Sequence, residues 1–338
     1  MTAAALRPRP APRFDSPAAW SGVEMARSRG WIHCLDGRQQ ADLLALGERL
    51  LARGATPAQA RLLASDSTTL ASLRPLMGTI REELRRGRGF ALMRGFPADR
   101  MSTASARLAY AALGSLLGDA MPQNKKGELI HDVRDTGADR HDVNVRLSIT
   151  NAEQDFHTDG ADLIGLLCLQ KAKAGGVSRI VSSVTVYHHV ASTRPDLAAL
   201  LFEPWYFHMK GEQREGELPY FQLPIARVIG DQLSSFFIGW YIRHAEQLPG
   251  VPKLTAMQHE ALAAYEQAAN HPDLHLDMHF EPGDIQWLKN SVILHKRTEY
   301  EDWPEPGRKR HLLRLWLAAP DFGDGIVALR QGHQVERT

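Results

Sequence analysis

Apolar residues recur with helical spacing through most of residues 37–118. A leucine-rich run with this period opens the region, and Gly54 is a typical stop for such a helix. Further helices are predicted over 75–86, where a proline suits the first turn, and over 102–117. Between them the apolar run 90–93 predicts a short strand. The first third of the chain is therefore expected to be helices around one early strand.

From about residue 127 the pattern changes to short apolar runs separated by turn residues. One helix, over about 255–270, interrupts this region. The predicted strands are 129–133, 163–170, 178–184, 205–209, 221–228, 233–241, 275–280, 284–289, 292–295 and 310–317. Many short strands with frequent turns favour an α+β fold with a mainly β core, a β-sandwich or jelly roll with flanking helices. Since no linker-like composition separates the helical part, we expect one domain over 19–338.

Composition narrows the classes of function. The 338 residues carry a formal net charge of +1, with 43% hydrophobic and 23% charged residues, as in ordinary soluble domains. Arginine-rich stretches such as 85–88 are short, so a nucleic-acid partner is not expected. No apolar run is long enough to span a membrane, and residues 1–18, rich in Ala, Pro and Arg, predict a flexible arm. Two cysteines without a disulfide framework favour the cytoplasm. A homo-oligomer stays open.

A histidine and an aspartate two positions apart suggest a metal site. Side chains at i and i+2 of an extended segment point the same way, so His157 and Asp159 can reach one ion. His295 follows the apolar run 292–294 and so also stands at a strand end. Two imidazoles and one carboxylate hold Fe(II) while leaving its other side open for a cosubstrate and O2. Alone, the His-x-Asp triplet indicates no more than a surface hydrogen bond.

The chain contains a second His-x-Asp triplet, which we interpret differently. Residues 275–280 alternate strictly, with Leu276, Met278 and Phe280 on one face and polar residues on the other. An antiparallel strand with one face on the core and one in water explains every position, so no metal role is needed.

Two arginines mark a candidate anion site. Arg310 and Arg314 share one face of the apolar strand predicted over 310–317. If both point inward they need anionic partners, because a buried unpaired guanidinium is costly, and a carboxylate is the natural partner. The alternative is that both point outward and are solvated.

Five motifs together resemble the taurine dioxygenase and clavaminate synthase-like family of Fe(II)/2-oxoglutarate-dependent oxygenases. The resemblance extends over about residues 85–320 in matching order and spacing. The motifs are Phe156-His157-Thr158-Asp159-Gly160, Gly175-Gly176-Val177-Ser178, Glu281-Pro282-Gly283-Asp284, Asn290-Ser291-Val292-Ile293-Leu294-His295 and Arg310-His311-Leu312-Leu313-Arg314. It implies a double-stranded β-helix, with His157, Asp159 and His295 as iron ligands.

The same resemblance implies roles for three further residues. Arg310 matches the arginine that pairs with the distal carboxylate of 2-oxoglutarate, and Ser178 matches a hydroxyl that shares this carboxylate. Arg314 matches a position that contacts substrate or cosubstrate in some members. An extra segment, 301–307, leaves Arg308 as an alternative to Arg310; the spacing to Arg314 and the start of the apolar strand favour Arg310.

The substrate is less well specified. Gln123 and Asn124 precede the first strand of the sheet region and either line the pocket or form a turn that bonds its own backbone. Aromatic residues within 185–270 are expected to pack the core or form a lid. Arg314 suggests an anionic substrate such as an amino acid.

The sequence therefore predicts an Fe(II)/2-oxoglutarate-dependent dioxygenase that hydroxylates or desaturates a small molecule. The alternative is a non-catalytic jelly roll that senses 2-oxoglutarate or another anion. A zinc hydrolase ranks last, because the chain has no His-Glu-x-x-His motif and no cysteine cluster.

Overall fold

Two facing β-sheets form the centre of the molecule. The computed structural model describes residues 12–60, 68, 70–140, 142, 145–213 and 215–323. The strands are β1 (Ile32–Cys34), β2 (Phe90–Arg94), β3 (Asp119–Ala120), β4 (Ile130–Val133), β5 (Gln154–His157), β6 (Leu163–Gln170), β7 (Ala174–Gly175), β8 (Ser178–Ser182), β9 (Pro204–His208), β10 (Tyr220–Pro224), β11 (Ala226–Ile229), β12 (Gln232–Ser235), β13 (His275–Met278), β14 (Ile285–Lys289), β15 (Ile293–Arg297), β16 (Tyr300–Glu301) and β17 (His311–Ala318).

The larger sheet has seven strands in the order β1-β2-β14-β6-β17-β3, with β4 also paired to β17. The smaller sheet has the order β13-β8-β15-β5. Apart from the parallel pair β1–β2, these neighbours run antiparallel. Non-sequential neighbours in two facing antiparallel sheets are typical of a jelly roll, so the predicted fold class is confirmed.

The helices flank this core. They are α1 (Gly22–Arg27), α2 (Gly37–Ala52), α3 (Arg74–Arg86), α4 (Thr103–Gly114), α5 (Ser183–Thr193), α6 (Pro195–Leu200), α7 (Gly239–Ala245) and α8 (Ala256–Ala269). Helices α2, α3, α4 and α8 confirm the helical predictions. Thr255 and Gln258 form a capping box that fixes the start of α8.

Alternation along β6 and β17 explains why the two strands are apolar on both faces. Leu163, Leu167 and Leu313 pack with the N-terminal helices. The alternate positions of the two strands, such as Ile164 and Leu312, face the smaller sheet. A strand covered by helices on one side and by a sheet on the other needs apolar residues at nearly every position. Polar residues on the inner face of β17, such as Arg314, are therefore placed between the sheets.

Some predicted strands end earlier than expected, and one is divided. The run 178–184 stops after β8 because the Ser182 hydroxyl accepts the backbone N–H of Thr185 and starts α5. The run 221–228 divides into β10 and β11, and the run 233–241 ends with β12, after which α7 begins. Tertiary packing overrides the β-propensity of α5, since Val184, Tyr187 and Val190 line its buried face.

The predicted flexible arm over 1–18 needs a correction from residue 12 onward; residues 1–11 lie outside the described residues. Phe14 and Ala18 are buried in the same hydrophobic cluster as Tyr187 and Val190 of α5. The Tyr187 hydroxyl donates to the carbonyl of Pro12 at 3.0 Å, and the N–H of Phe14 donates to His188 Nε2 at 3.1 Å. This segment is therefore packed against helix α5. Among the described residues, no helix combines the length and apolar character required to cross a membrane.

Candidate metal centre and active site

The three predicted metal ligands meet at one end of the smaller sheet. His157 is the last residue of β5 and pairs in register with His295 of β15, so their rings lie 4.2 Å apart, centre to centre. Asp159 follows two residues after β5. Its carboxylate oxygens lie 4.0 Å from His157 Nε2 and 3.8 Å from His295 Nε2. One ligand atom from each residue fits within 4.8 Å of the others, and all three residues are buried.

Hydrogen bonds hold these side chains in position. His157 Nδ1 lies 2.7 Å from the carbonyl of Asp155, which can only accept, so Nδ1 carries the proton and Nε2 is left as the acceptor. Arg314 Nη1 donates to both oxygens of Asp159, at 3.2 and 3.1 Å. Trp316 Nε1 donates to Asp159 Oδ2 at 3.0 Å. Such supporting contacts orient ligands around a metal.

The local environment sets the protonation states that a cation requires. Burial lowers the pKa of His157, and burial followed by the His157 ring lowers the pKa of His295 to about 3. Burial acts to raise the pKa of Asp159, but the Arg314 guanidinium and neighbouring groups outweigh it and lower that pKa to about 2. At neutral pH the site therefore offers two neutral imidazoles and one carboxylate, a donor set that fits Fe(II).

Arg310 and Arg308 are the alternative partners for the carboxylate of the cosubstrate, and of these two Arg310 is buried. It is 4% exposed, its backbone N–H donates to Asp302 Oδ1 at 2.7 Å, and its Nη1 has no hydrogen-bond partner among the described residues. Arg308 instead lies at the surface, stacked on Trp303 at 3.6 Å. The geometry thus favours Arg310 over Arg308.

Ser178 and Gly176 lie on the same side of the site as Arg310. Ser178 is buried, exchanges hydrogen bonds with Gln286, and lines a small cavity of about 30 Å³ together with Arg310 and His295. Gly176 has a φ of 66°, and a Cβ there would come within 3.0 Å of Arg310 Nε. The glycine pair therefore provides both a left-handed turn and room for the guanidinium.

A larger pocket of about 870 Å³ opens from the metal ligands toward solvent. Trp240 packs against the His157 ring, with centroids 5.1 Å apart. Farther out, Arg146 pairs with Glu212 at 2.7 Å, and Lys210 contacts His244. Lys210 has a φ of 53°, which is uncommon for a lysine. The pocket offers both positive and negative groups to a small polar molecule.

The candidate substrate residues differ in their surroundings. Gln123 is buried, donates to the carbonyls of Leu129 and Arg314, and accepts from Arg314 Nε at 2.8 Å. Asn124 closes the local turn that was the alternative, accepting the N–H of Lys126 at 3.0 Å, although it also lines the pocket. Arg314 donates to Asp159 and Gln123, so it holds the Asp159 carboxylate rather than facing an open anion site.

The aromatic residues within 185–270 of the sequence fall into two groups. Tyr187 and Trp205 are core residues, whereas Trp240 and Tyr241 line the pocket. The second His-x-Asp triplet lies on β13 as expected, with Leu276 and Met278 buried, and it takes no part in the ligand cluster.

Sequence reasoning missed two residues of the site. The sequence predicts Trp316 only as part of an apolar strand, whereas in the structure its indole N–H donates to Asp159. Arg297 lines the small cavity beside Arg310, and its position two residues after His295 was the only available signal.

Comparison with known proteins places this chain in a family. A sequence model described as "Taurine catabolism dioxygenase TauD, TfdA family" matches residues 54–316. FR-33289 synthase from Streptomyces rubellomurinus is 30% identical over 307 residues, covering 89% of this chain and 88% of that protein. Taurine hydroxylase-like protein SAT17 from Stachybotrys chartarum is 27% identical over 316 residues, covering 90% of this chain and 79% of its own.

Solved structures share the fold. Asparagine oxygenase in complex with Fe(II), hydroxyasparagine and succinate aligns with a TM-score of 0.66 at 17% identity, covering 85% of this chain and 93% of that one. The non-heme iron oxygenase OrfP in complex with Fe and alpha-ketoglutaric acid aligns with a TM-score of 0.64 at 16% identity, covering 91% and 98%. Because the matched sequence span covers most of the chain and includes all three candidate ligands, the protein belongs to the taurine catabolism dioxygenase TauD, TfdA family.

Proposed function

We propose that this protein is an Fe(II)/2-oxoglutarate-dependent dioxygenase that hydroxylates or desaturates a small molecule. The observation that carries the proposal is the cluster of His157, Asp159 and His295 beside the buried guanidinium of Arg310. Iron ligands alone suit many oxygenases. A guanidinium with an unpartnered donor on the adjoining cavity adds a site for an acidic cosubstrate.

The chain's own residues perform binding and orientation. His157, Asp159 and His295 hold the metal, while Trp316 fixes the carboxylate of Asp159. Arg310 and Ser178 bind the distal carboxylate of 2-oxoglutarate. Bound Fe(II) supplies the oxidising chemistry with O2 and 2-oxoglutarate. The pocket walls align one C–H bond of the substrate with the metal and keep water from it.

The substrate we propose is an amino acid or another small metabolite that carries an anionic group. The pocket wall supports this class, since Arg146, Lys210 and Glu212 offer opposite charges around one cavity. Gln123, Asn124 and Arg314 line the same pocket and are further candidate contacts for the substrate. We also propose a cytoplasmic location and a single catalytic domain over residues 19–338. The possible homo-oligomer stays a prediction.

Succinate release tests the proposal. The purified protein, loaded with Fe(II), would be screened with amino acids and other small anions while succinate formation from 2-oxoglutarate is measured. We expect release that depends on Fe(II) and O2, that disappears in His157→Ala, and that persists in the matched control His275→Ala. If the iron-loaded wild type released no succinate with any compound, the proposal that this protein is an enzyme would be contradicted.

The alternative function, a non-catalytic sensor of 2-oxoglutarate, predicts a different result in the same experiment. It would bind 2-oxoglutarate without releasing succinate, and Asp159→Asn would leave that affinity unchanged. For the enzyme, removing the Asp159 carboxylate weakens metal binding and with it the binding of 2-oxoglutarate.

A further inference from the structure

A second buried arginine stands on the strand that carries His295. Arg297 lies two residues farther along β15, so both side chains point to the same face of the smaller sheet. The register places Arg297 directly opposite Ser178 of β8. The distance along the strand between the two positions is about 6.6 Å at about 3.3 Å per residue. This separation suits a ligand that reaches from the metal to a point between Arg297 and Ser178.

The Arg297 guanidinium is incompletely bonded. The residue is 6% exposed, and its Nη2 donates to the carbonyls of Leu147 and Ala152. Its Nε and Nη1 have no hydrogen-bond partner among the residues that the structure describes. The side chain also lies over the ring of Tyr300, at 5.0 Å. The backbone contacts therefore hold the guanidinium without using all of its donors.

Arg310 reaches the same place from the other sheet. Its guanidinium also lies 5.0 Å from the Tyr300 ring centroid, and both arginines line the small cavity together with Ser178. Neither forms an ion pair with a carboxylate in the described part of the chain. Two buried like charges without a counterion are costly, and an anion between them would stabilise both.

We propose that Arg297 is a second binding residue for the distal carboxylate of 2-oxoglutarate, acting with Arg310 and Ser178. The inference rests on the proposed function and assigns a role to a residue that the sequence pattern did not indicate. Its consequence is a strong preference for a diacid, because two guanidiniums converge on the end of the cosubstrate that is remote from the metal.

Cosubstrate preference tests the role of Arg297. Binding to the Fe(II)-loaded protein would be measured by calorimetry without O2, for 2-oxoglutarate and for 2-oxovalerate, which has the same carbon chain but no distal carboxylate. The wild type should favour 2-oxoglutarate. Arg297→Met should reduce this preference by roughly tenfold or more, equivalent to about 1.4 kcal/mol, and Arg297→Lys should give an intermediate value.

Lys296→Met provides the matched control. Lys296 is equally buried on the same strand but points to the other face, where it pairs with Glu153 at 2.7 Å and Asp155 at 3.2 Å. This variant should keep the wild-type preference. If Arg297 only held the carbonyls of Leu147 and Ala152, both ligands would bind more weakly in Arg297→Met and their ratio would stay constant, which overturns the proposal.

A second measurement applies if the Arg297 variants do not fold. A crystal structure of the wild type with Fe(II) and 2-oxoglutarate, prepared without O2, should place the distal carboxylate within about 3.2 Å of the Arg297 guanidinium. A carboxylate bound by Arg310 alone would refute the role of Arg297. A wild type that binds Fe(II) but no 2-oxoglutarate would instead refute the proposed function itself.

Discussion

The indole N–H of Trp316 is expected to contribute directly to metal affinity. It donates to Asp159 Oδ2 at 3.0 Å, and the same oxygen lies 3.8 Å from His295 Nε2. Trp316→Phe removes this donor while keeping an aromatic ring. The carboxylate then becomes free to rotate toward Arg314, which binds both of its oxygens. Metal binding must reverse that rotation, so the substitution should weaken it.

The size of the effect follows from the charge on the acceptor. A hydrogen bond to a charged group contributes about 1.5–3 kcal/mol, and removing a residue that supports a metal ligand lowers affinity by roughly 10–100-fold. We therefore expect Fe(II) affinity, measured by anaerobic calorimetry, to fall by about tenfold or more in Trp316→Phe.

Trp287 offers a matched control for the loss of ring volume. It is fully buried on β14, and its indole N–H has no hydrogen-bond partner among the described residues. Trp287→Phe should leave Fe(II) affinity within about twofold of the wild type, a change of less than 0.5 kcal/mol. Equal losses in both variants, or unchanged affinity in Trp316→Phe, would refute the reasoning.

Two further predictions concern the cosubstrate turn and pH. Gly176→Ala should weaken 2-oxoglutarate binding because the added Cβ would come within 3.0 Å of Arg310 Nε. The control Gly230→Ala has a similar positive φ but no atom within 4 Å of the added Cβ, so it should only destabilise the fold, by about 1–2 kcal/mol. Equal 2-oxoglutarate affinity in the two variants would contradict this. In the metal-free protein, the pKa of His295 lies at about 3, below its ordinary 6.5. The contribution of neutral His295 to the free energy of unfolding is therefore complete above pH 6.5 and is lost as the pH falls toward 3. At pH 5 the loss should be about 2 kcal/mol in urea unfolding and smaller in His295→Gln; an undiminished loss in the variant would count against it.

Local patterns predicted which side chains meet at the centre of the candidate site. The spacing of His157 and Asp159, the strand before His295 and the strict alternation over 275–280 each depend on side-chain direction in an extended segment, which the sequence determines. The apolar strand after Arg310 left open whether this side chain points inward or outward, and the structure shows that it is buried.

Other features depend on contacts between distant segments. Arg297 gains its place from register with Ser178, and Trp316 from the approach of Asp159 across the sheets. Neither pairing can be read from spacing along the chain, although Arg297 stands two residues after His295. Likewise, α5 has a sequence typical of a strand and becomes a helix because Ser182 caps it and the core covers one face. Long-range packing therefore determines the positions of these side chains and the helical state of α5, which the periodicity of the sequence does not predict.

The register pairing of His157 with His295 separates two tasks within the molecule. Backbone hydrogen bonds of the smaller sheet keep these two imidazoles together, while the outer wall of the pocket is built from the loop between β9 and β10 and from helix α7. Residues of that wall can be exchanged without altering the strands that carry the imidazoles. The scaffold is thus suited to directed evolution toward new compounds, with libraries confined to the loop and helix.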